Sequence, residues 1–499
     1  MGEQAGCRQQ GTPITSGETH GGAQKPDKLS AQERKTMLVL NERHAKSQDS
    51  GYVHHCTQVN KSPAEEGHLE KLFEVLALVE SEATEEQCDA MKQLISDNSN
   101  VFALSDNELG HTDLVQHQVD TGDSPPIKQP VRRVPFFYRD KIACMVDEME
   151  RLGVIRKSTS AWSSPVVLIP KKDGSYRFCV DYRKLNGVTK KDVYPLPRID
   201  DILDTLSGAK FFSTIDLAAG YWQIGLDPST SAKSAFVTNR GLHEFVRMPF
   251  GMCNAPATFQ RLMEVVLAGL LWKNCFVYID DVLVCSATFE EHLTHLEEVL
   301  SRLRQAGLRL KAKKCLFLRQ EVSYLGHVVT RQGIKPDPAK TDKIRGYPAP
   351  TDVSQVRQFL GLASYYRRFV PEFAKIASPL HLLLKKDTAF DWTPECADAF
   401  VGLKEALIHA PVLAYPQFDS QHPFILKADA STKGLGAVLA QQQRDQKVHP
   451  IAFASRSLTA AETNYAITEL ETLGLVWAVK LFRPYILGRR CIVFTDHAA

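Results

Sequence analysis

The 499-residue sequence contains no apolar run near the roughly 18 residues that a membrane-spanning helix needs. Its first residues, MGEQAGCRQQ, lack the apolar centre of a secretory signal. Gly6 stands where a myristoylation signal requires Ser or Thr. These absences predict no membrane partner and a cytoplasmic or nuclear protein. No C-x-x-C pair occurs, and the eleven cysteines are odd in number and scattered. That excludes a disulfide framework and a structural zinc site, and it predicts free thiols in a reducing compartment. Aromatic residues are scarce over residues 1–62, which are rich in Gly, Gln, Ser, Thr, Lys and Glu, the composition of a disordered tail. Acidic residues are missing from 301–320, SRLRQAGLRLKAKKCLFLRQ, which carries seven Lys or Arg. In a chain of net charge +2 this is a local patch suited to phosphates, or a solvated helix face.

What remains is an ordinary globular composition, 43% hydrophobic and 24% charged, on a chain too long for one core. Residues 63–130 read as a helical segment and then an extended, proline-punctuated linker, VDTGDSPPIKQPVRRVP. The linker includes Asp120-Thr121-Gly122, the triplet of an aspartic protease half-site. No apolar strand follows to mount it, so protease chemistry is rejected. RDKIACMVDEMERLGVI is an amphipathic helix with Ile142, Val146, Met149 and Leu152 on one stripe. Residues 164–186 read as a hairpin turning at Lys172-Asp173-Gly174. TFEEHLTHLEEVLSRLRQAG is a helix whose His292 and His295 are expected on a solvated face. From 423 three strands, a long helix over AAETNYAITELETLGLVWAVKLF and a fourth strand, CIVFTD, follow in order.

The chemistry concentrates in FVYIDDVLV, residues 276–284. Consecutive side chains of a straight strand point to opposite faces, so Asp280 and Asp281 cannot serve one ion unless they sit at a hairpin bend. Paired carboxylates in an apolar mount are costly without a cation. Hard oxygen ligands call for Mg²⁺. Asp216 ends another apolar strand, FFSTID, and is expected across from the pair. Three carboxylates at strand ends suit two ions and phosphoryl transfer.

FSTIDL at 212–217, MPFGMCNAPATFQ at 248–260 and YIDD at 278–281 stand in the order and spacing of a reverse transcriptase. RFCVDYRKLN precedes them and YLGH at 324–327 follows. Over roughly 110–499 the chain resembles the Pol polyprotein of gypsy-type LTR retrotransposons. The resemblance implies an α+β fold, a right-hand polymerase of fingers, palm and thumb over 131–345. A connection over 346–415 and an incomplete α/β ribonuclease H-like domain over 416–499 would follow. It implies Asp216, Asp280 and Asp281 as catalytic residues and ligands of two Mg²⁺ (or Mn²⁺) ions. Lys172, Arg177, Tyr221 and Phe250 would line the dNTP site, with Tyr221 as a steric gate against a 2′-hydroxyl. Tyr324, Leu325, Gly326 and His327 would form the primer grip. Lys314 is a candidate proton donor to pyrophosphate among several neighbouring lysines.

KADASTKGLGAVL, TELETL and VFTDH resemble the ribonuclease H domain of the same elements, with Asp429, Glu471 and Asp496 as metal ligands. Glu469 and Glu471 lie about 200° apart on a helix, so only one can face that site. Spacing leaves both open, and the family pattern favours Glu471. A complete domain of this kind carries a fifth strand and a fourth acidic ligand, so the expectation is a truncated, compromised nuclease whose fourth strand is a bare edge. The implied function is RNA-directed DNA polymerisation on an RNA or DNA template–primer with dNTPs. The alternatives are weakened ribonuclease H activity, or a non-catalytic nucleic-acid-binding remnant that uses the 301–320 patch and Tyr365-Tyr366-Arg367-Arg368.

Overall fold

The computed structural model describes residues 63–76 and 83–495, apart from Asp106, Lys172, Asp173, Asp387 and Ser420. The tail expected over 1–62, Lys172 and Asp496 lie outside the described residues.

Two helices come first, α1 (Pro63–Leu76) and α2 (Glu85–Asp97). Thr84 starts α2 with a reciprocal capping box to Gln87, which satisfies two backbone donors at the helix start. The Asp120-Thr121-Gly122 triplet that follows lies at a turn, with Asp120 and Gly122 exposed and Thr121 buried. Asp120 Oδ1 accepts from the Gly122 N–H at 2.8 Å and its other oxygen pairs with Lys190. In α3 (Phe136–Arg151) the expected stripe is buried at Ile142, Val146 and Met149.

The first sheet is built from β1 (Ile155–Lys157), β2 (Ser164–Pro170) and β3 (Tyr176–Val180). After the short α4 (Ile199–Asp204) and β4 (Phe211–Asp216), the strands β5 (Phe236–Thr238) and β6 (Gly241–Phe245) complete it. The strand order is β1-β6-β5-β2-β3. Helix α5 (Ala255–Val266) then leads to β7 (Cys275–Tyr278) and β8 (Asp281–Ser286). Helix α6 (Phe289–Gln305) opens on a second capping box, Thr288 with Glu291, and β9 (Leu316–Arg319) closes a second sheet in the order β7-β8-β4-β9.

The centre of that second sheet is buried on both faces. Val282 and Val284 of β8 enter a core with Phe259 and Leu300, whereas Leu283 and Cys285 enter another with Phe212 and Phe359. A period-2 strand between two cores must be apolar throughout, which explains the unbroken VLVC. One expectation fails on this sheet. His292 of α6 is fully buried rather than solvated, because its Nε2 reaches Ser213 Oγ at 2.7 Å and its Nδ1 reaches Ser286 Oγ at 3.1 Å. Burial pushes the imidazole down to about 3, so it is neutral.

A third sheet holds β10 (Glu321–Tyr324), β11 (His327–Thr330) and β12 (Ile334–Pro336) in antiparallel order. Helices α7 (Val353–Tyr365), α8 (Phe373–Leu382) and α9 (Pro394–Ile408) pack against it through Phe359, Ala377, Phe400 and Leu403. The last sheet has β13 (Phe424–Ala430), β14 (Gly434–Gln442) and β15 (Val448–Ser457), crossed by α10 (Ile467–Leu481). β16 (Cys491–Phe494) pairs parallel to β13, in the order β15-β14-β13-β16. α10 begins seven residues later than the pattern from 460 suggests. Glu462 is held by the two terminal guanidinium nitrogens of Arg456 and by the Thr459 N–H, which fixes a short 3₁₀ turn in place of helix.

Candidate active site

The bend expected in FVYIDDVLV is present. Tyr278 and Asp281 are the last paired residues of the β7–β8 hairpin, and Ile279 and Asp280 form the turn. Along the neighbouring ladder Asp281 stands directly opposite Asp216. The three carboxylates therefore share the end of one sheet. Ile279 has φ +57°, a conformation that is unfavourable for a β-branched residue and must be held from outside. Gln260 of α5 holds it. Its Oε1 accepts the Ile279 N–H at 2.7 Å, and its Nε2 donates to Glu264 Oε1 at 2.9 Å. Gln260 is not among the residues expected at the site from sequence, although a buried amide on the apolar face of a helix is itself a signal.

The electrostatics show an acidic centre short of positive charge. Asp281 is pushed up to about 6, first by partial desolvation in the cleft and then by Asp280 and Asp216. Asp280 is raised for the same first cause, with Asp216 adding to it. Lys314 opposes both shifts, and its Nζ donates to Asp216 Oδ2 at 2.7 Å. The 301–320 segment is thus not one solvated helix face. It runs from the end of α6 through a 3₁₀ turn into β9, and it delivers Lys314 to the carboxylates.

Tyr221 stacks on Phe250, with ring centroids 5.0 Å apart and an interplanar angle of 26°. Desolvation and the nearby Asp280 raise the Tyr221 phenol to about 12, so the ring is neutral and adjoins the acidic centre. Phe250 is half exposed. Arg177 is exposed on β3, opposite Ile169.

The YLGH segment divides. Tyr324 and His327 are buried, and only the Leu325–Gly326 turn between β10 and β11 reaches the surface. Tyr324 Oη donates to the Asp281 carbonyl at 3.4 Å, which ties this hairpin to the acidic one. Desolvation lowers His327 to about 4, so it is neutral and its Nδ1–H donates to Leu325 O at 2.9 Å. The Tyr365–Arg368 run is also not an open basic patch. Tyr366 is buried, Arg367 donates to Ser455 O, and Arg368 pairs with Asp200 at 2.6 Å and Asp204 at 3.2 Å.

Residues 169–329 match the family model described as reverse transcriptase (RNA-dependent DNA polymerase). Residues 392–493 match the RNase H-like domain found in reverse transcriptase. The chain thus carries a reverse transcriptase domain followed by an RNase H-like domain of the kind found in reverse transcriptase. It is 42% identical over 419 residues to the Pol polyprotein of transposon 297 from Drosophila melanogaster, covering 83% of this chain and 39% of that relative. It is 37% identical to that of transposon gypsy from the same organism, covering 81% and 40%. The chain thus spans about two fifths of the length of these relatives. A solved foamy viral protease-reverse transcriptase in complex with double-stranded DNA superposes with a TM-score of 0.77 at 27% identity, covering 88% of this chain and 90% of that one. The same enzyme type in complex with an RNA/DNA hybrid gives 0.73 at 26%, covering 89% and 59%.

A second group of acidic residues lies at the last sheet, and Asp496, expected to join it, is outside the described residues. Asp429 is exposed on β13, and α10 crosses that strand closely at Gly474, where a Cβ would lie 3.7 Å from the Asp429 carbonyl oxygen. Glu471 sits one turn earlier on α10. Glu469 is committed elsewhere, since its Oε2 accepts the Ala466 N–H at 2.8 Å as part of the helix start. No helix among the described residues is long and apolar enough to cross a membrane.

Proposed function

We propose that this chain is an RNA-directed DNA polymerase that adds dNTPs to a primer 3′-hydroxyl on an RNA or DNA template. The observation that carries the reading is the placement of Asp281 opposite Asp216 with Asp280 in the adjoining turn. Relatives solved with an RNA/DNA hybrid and with double-stranded DNA support nucleic acid as the partner.

The acidic centre fits a pair of divalent cations in charge and in ligand type. Desolvation, with mutual repulsion added to it, raises two of its carboxylates, and hard oxygen donors are what Mg²⁺ or Mn²⁺ takes. Among the described residues no three acidic, His or Cys side chains are yet gathered at chelating distance. Lys314 occupies Asp216 instead, a cation standing where a metal's charge would be felt. Asp216, Asp280 and Asp281 would hold the ions. Bound metal would supply the Lewis acidity that activates the 3′-hydroxyl and takes up charge on the leaving pyrophosphate.

The remaining groups act by position. Lys314, released from Asp216, is placed to neutralise or protonate the leaving group. Tyr221, braced by Phe250, forms a wall against a ribose 2′-hydroxyl. Arg177 brings a forked donor set for phosphate oxygens. The Leu325–Gly326 turn would seat the primer terminus.

A homopolymer template with a short DNA primer and Mg²⁺ or Mn²⁺ tests this. Wild type should incorporate dNTP and Asp280→Asn should not. Equal incorporation by both would rule the reading out. Cleavage of RNA in a hybrid is a second reading, favoured by α10, which carries Glu471, crossing β13 beside Asp429. Hybrid cleavage that Asp429→Asn abolishes would establish it.

A further inference from the structure

We propose that Tyr365 and Tyr366 are positioning residues for polymerisation, whose hydroxyls hold the Leu325–Gly326 turn in register with the hairpin of Asp280 and Asp281. This inference rests on the polymerase reading above.

The turn needs holding. Leu325 has φ +47° and Gly326 φ +73°, the two-residue turn that matches strand twist but disfavours a side chain at its first position. A γ-branched residue stays in the left-handed region only when its surroundings over-determine it. Here four donors converge on two carbonyls. Leu325 O accepts Tyr365 Oη at 2.7 Å and His327 Nδ1 at 2.9 Å. Gly326 O accepts Tyr366 Oη at 2.6 Å and the Asp337 N–H at 3.2 Å. The tyrosines also press on the turn, because a Cβ on Gly326 would meet Tyr366 Oη at 3.3 Å and Tyr365 Cε1 at 3.4 Å.

The tyrosines have a fixed base of their own. Their rings pack edge to face at 4.9 Å, and both contact the buried His327 ring. The next residue but one, Arg368, is locked onto Asp200 and Asp204 of α4. On the other side of the turn, Tyr324 Oη reaches the Asp281 carbonyl. A path of side-chain hydrogen bonds joined by short backbone steps therefore runs from α4 through Arg368, the two tyrosines and the turn to Asp281. A turn that seats a primer end beside reacting atoms must hold its place closely. A misplacement of about 1 Å can cost on the order of 10²-fold in rate.

Removing only the hydroxyls leaves the ring packing intact, so Tyr365→Phe, Tyr366→Phe and the double variant are the test. Single-nucleotide incorporation is measured beside template–primer affinity, the KM for dNTP, and extension from matched and mismatched 3′ ends. The double variant should lose about tenfold in kcat, with template–primer affinity and dNTP KM unchanged. It should also discriminate less against a mismatched terminus, which a smaller folded fraction would not cause. Tyr365→Phe alone should show the same pattern more weakly, and it serves if the double variant folds poorly, since Tyr365 is half exposed. No incorporation by wild type would bring down the polymerase reading and this inference with it. Active wild type with kcat and mismatch discrimination unchanged in the variants would overturn this inference alone. Weakened template–primer binding as the sole change would also overturn it, by making the tyrosines binding groups instead.

Discussion

Replacing Asp281 by Asn should stabilise the metal-free protein at neutral pH while abolishing polymerisation. Asp281 lies at the end of β8 facing Asp216, beside Asp280, and its carboxyl is pushed up to about 6 by desolvation and those two neighbours. A carboxyl raised in the fold from an unfolded value near 4 favours the protonated native state. Its cost is absent below about pH 4, grows between about 4 and 6, and is fully present above about 6. Taken at face value the shift is worth about 3 kcal/mol. The group is open to solvent, and screening leaves on the order of 1 kcal/mol. Thermal melts at low salt with EDTA should therefore place Asp281→Asn about 2 °C above wild type at pH 7.5. The gap should shrink as the pH falls to 5. Added Mg²⁺ should raise the wild-type melting temperature more than that of the variant, because the variant lacks one ligand charge. A variant less stable than wild type in EDTA at pH 7.5, or a gap that does not change with pH, would refute the picture of a repulsive acidic centre.

Gln260→Leu removes the acceptor for the Ile279 N–H, so melts should show a loss of about 1–3 kcal/mol and incorporation should slow as the turn relaxes. Tyr221→Val opens the wall beside Phe250; competition between rNTP and dNTP should show ribonucleotide exclusion falling on the order of tenfold or more, with dNTP incorporation retained. Arg368→Met removes the cation that Asp200 and Asp204 share, leaving Asp204 only its Tyr485 hydrogen bond, and should cost about 3 kcal/mol in urea unfolding. That loss should lessen as the pH falls, since burial already raises Asp204 and protonation removes its charge.

The acidic hairpin was legible because its demands are local. Two like charges within an apolar run fit a two-residue bend and little else, and a strand between two cores must be apolar on both faces. Asp216 could be paired with it because it too ends an apolar strand. What the sequence hid depends on partners far along the chain. His292 looks like any polar residue on a helix until Ser213, 79 residues earlier, supplies its hydrogen bond. Tyr365-Tyr366-Arg367-Arg368 has the composition of a nucleic-acid patch. Its tyrosines are instead taken by carbonyls 40 residues upstream and its last arginine by Asp200 and Asp204. Glu469 and Glu471 were indistinguishable by angle, and the helix start separated them by using one as a cap.

We propose above that Asp216, Asp280 and Asp281 act together as one polymerising centre. The most direct measurement is single-turnover incorporation of one dNTP on a bound template–primer with Mg²⁺, by wild type and each of the three Asp→Asn variants. Wild type should incorporate the nucleotide, all three variants should fail to, and template–primer binding should be retained throughout. Incorporation that survives in any one of them at the wild-type rate would contradict it.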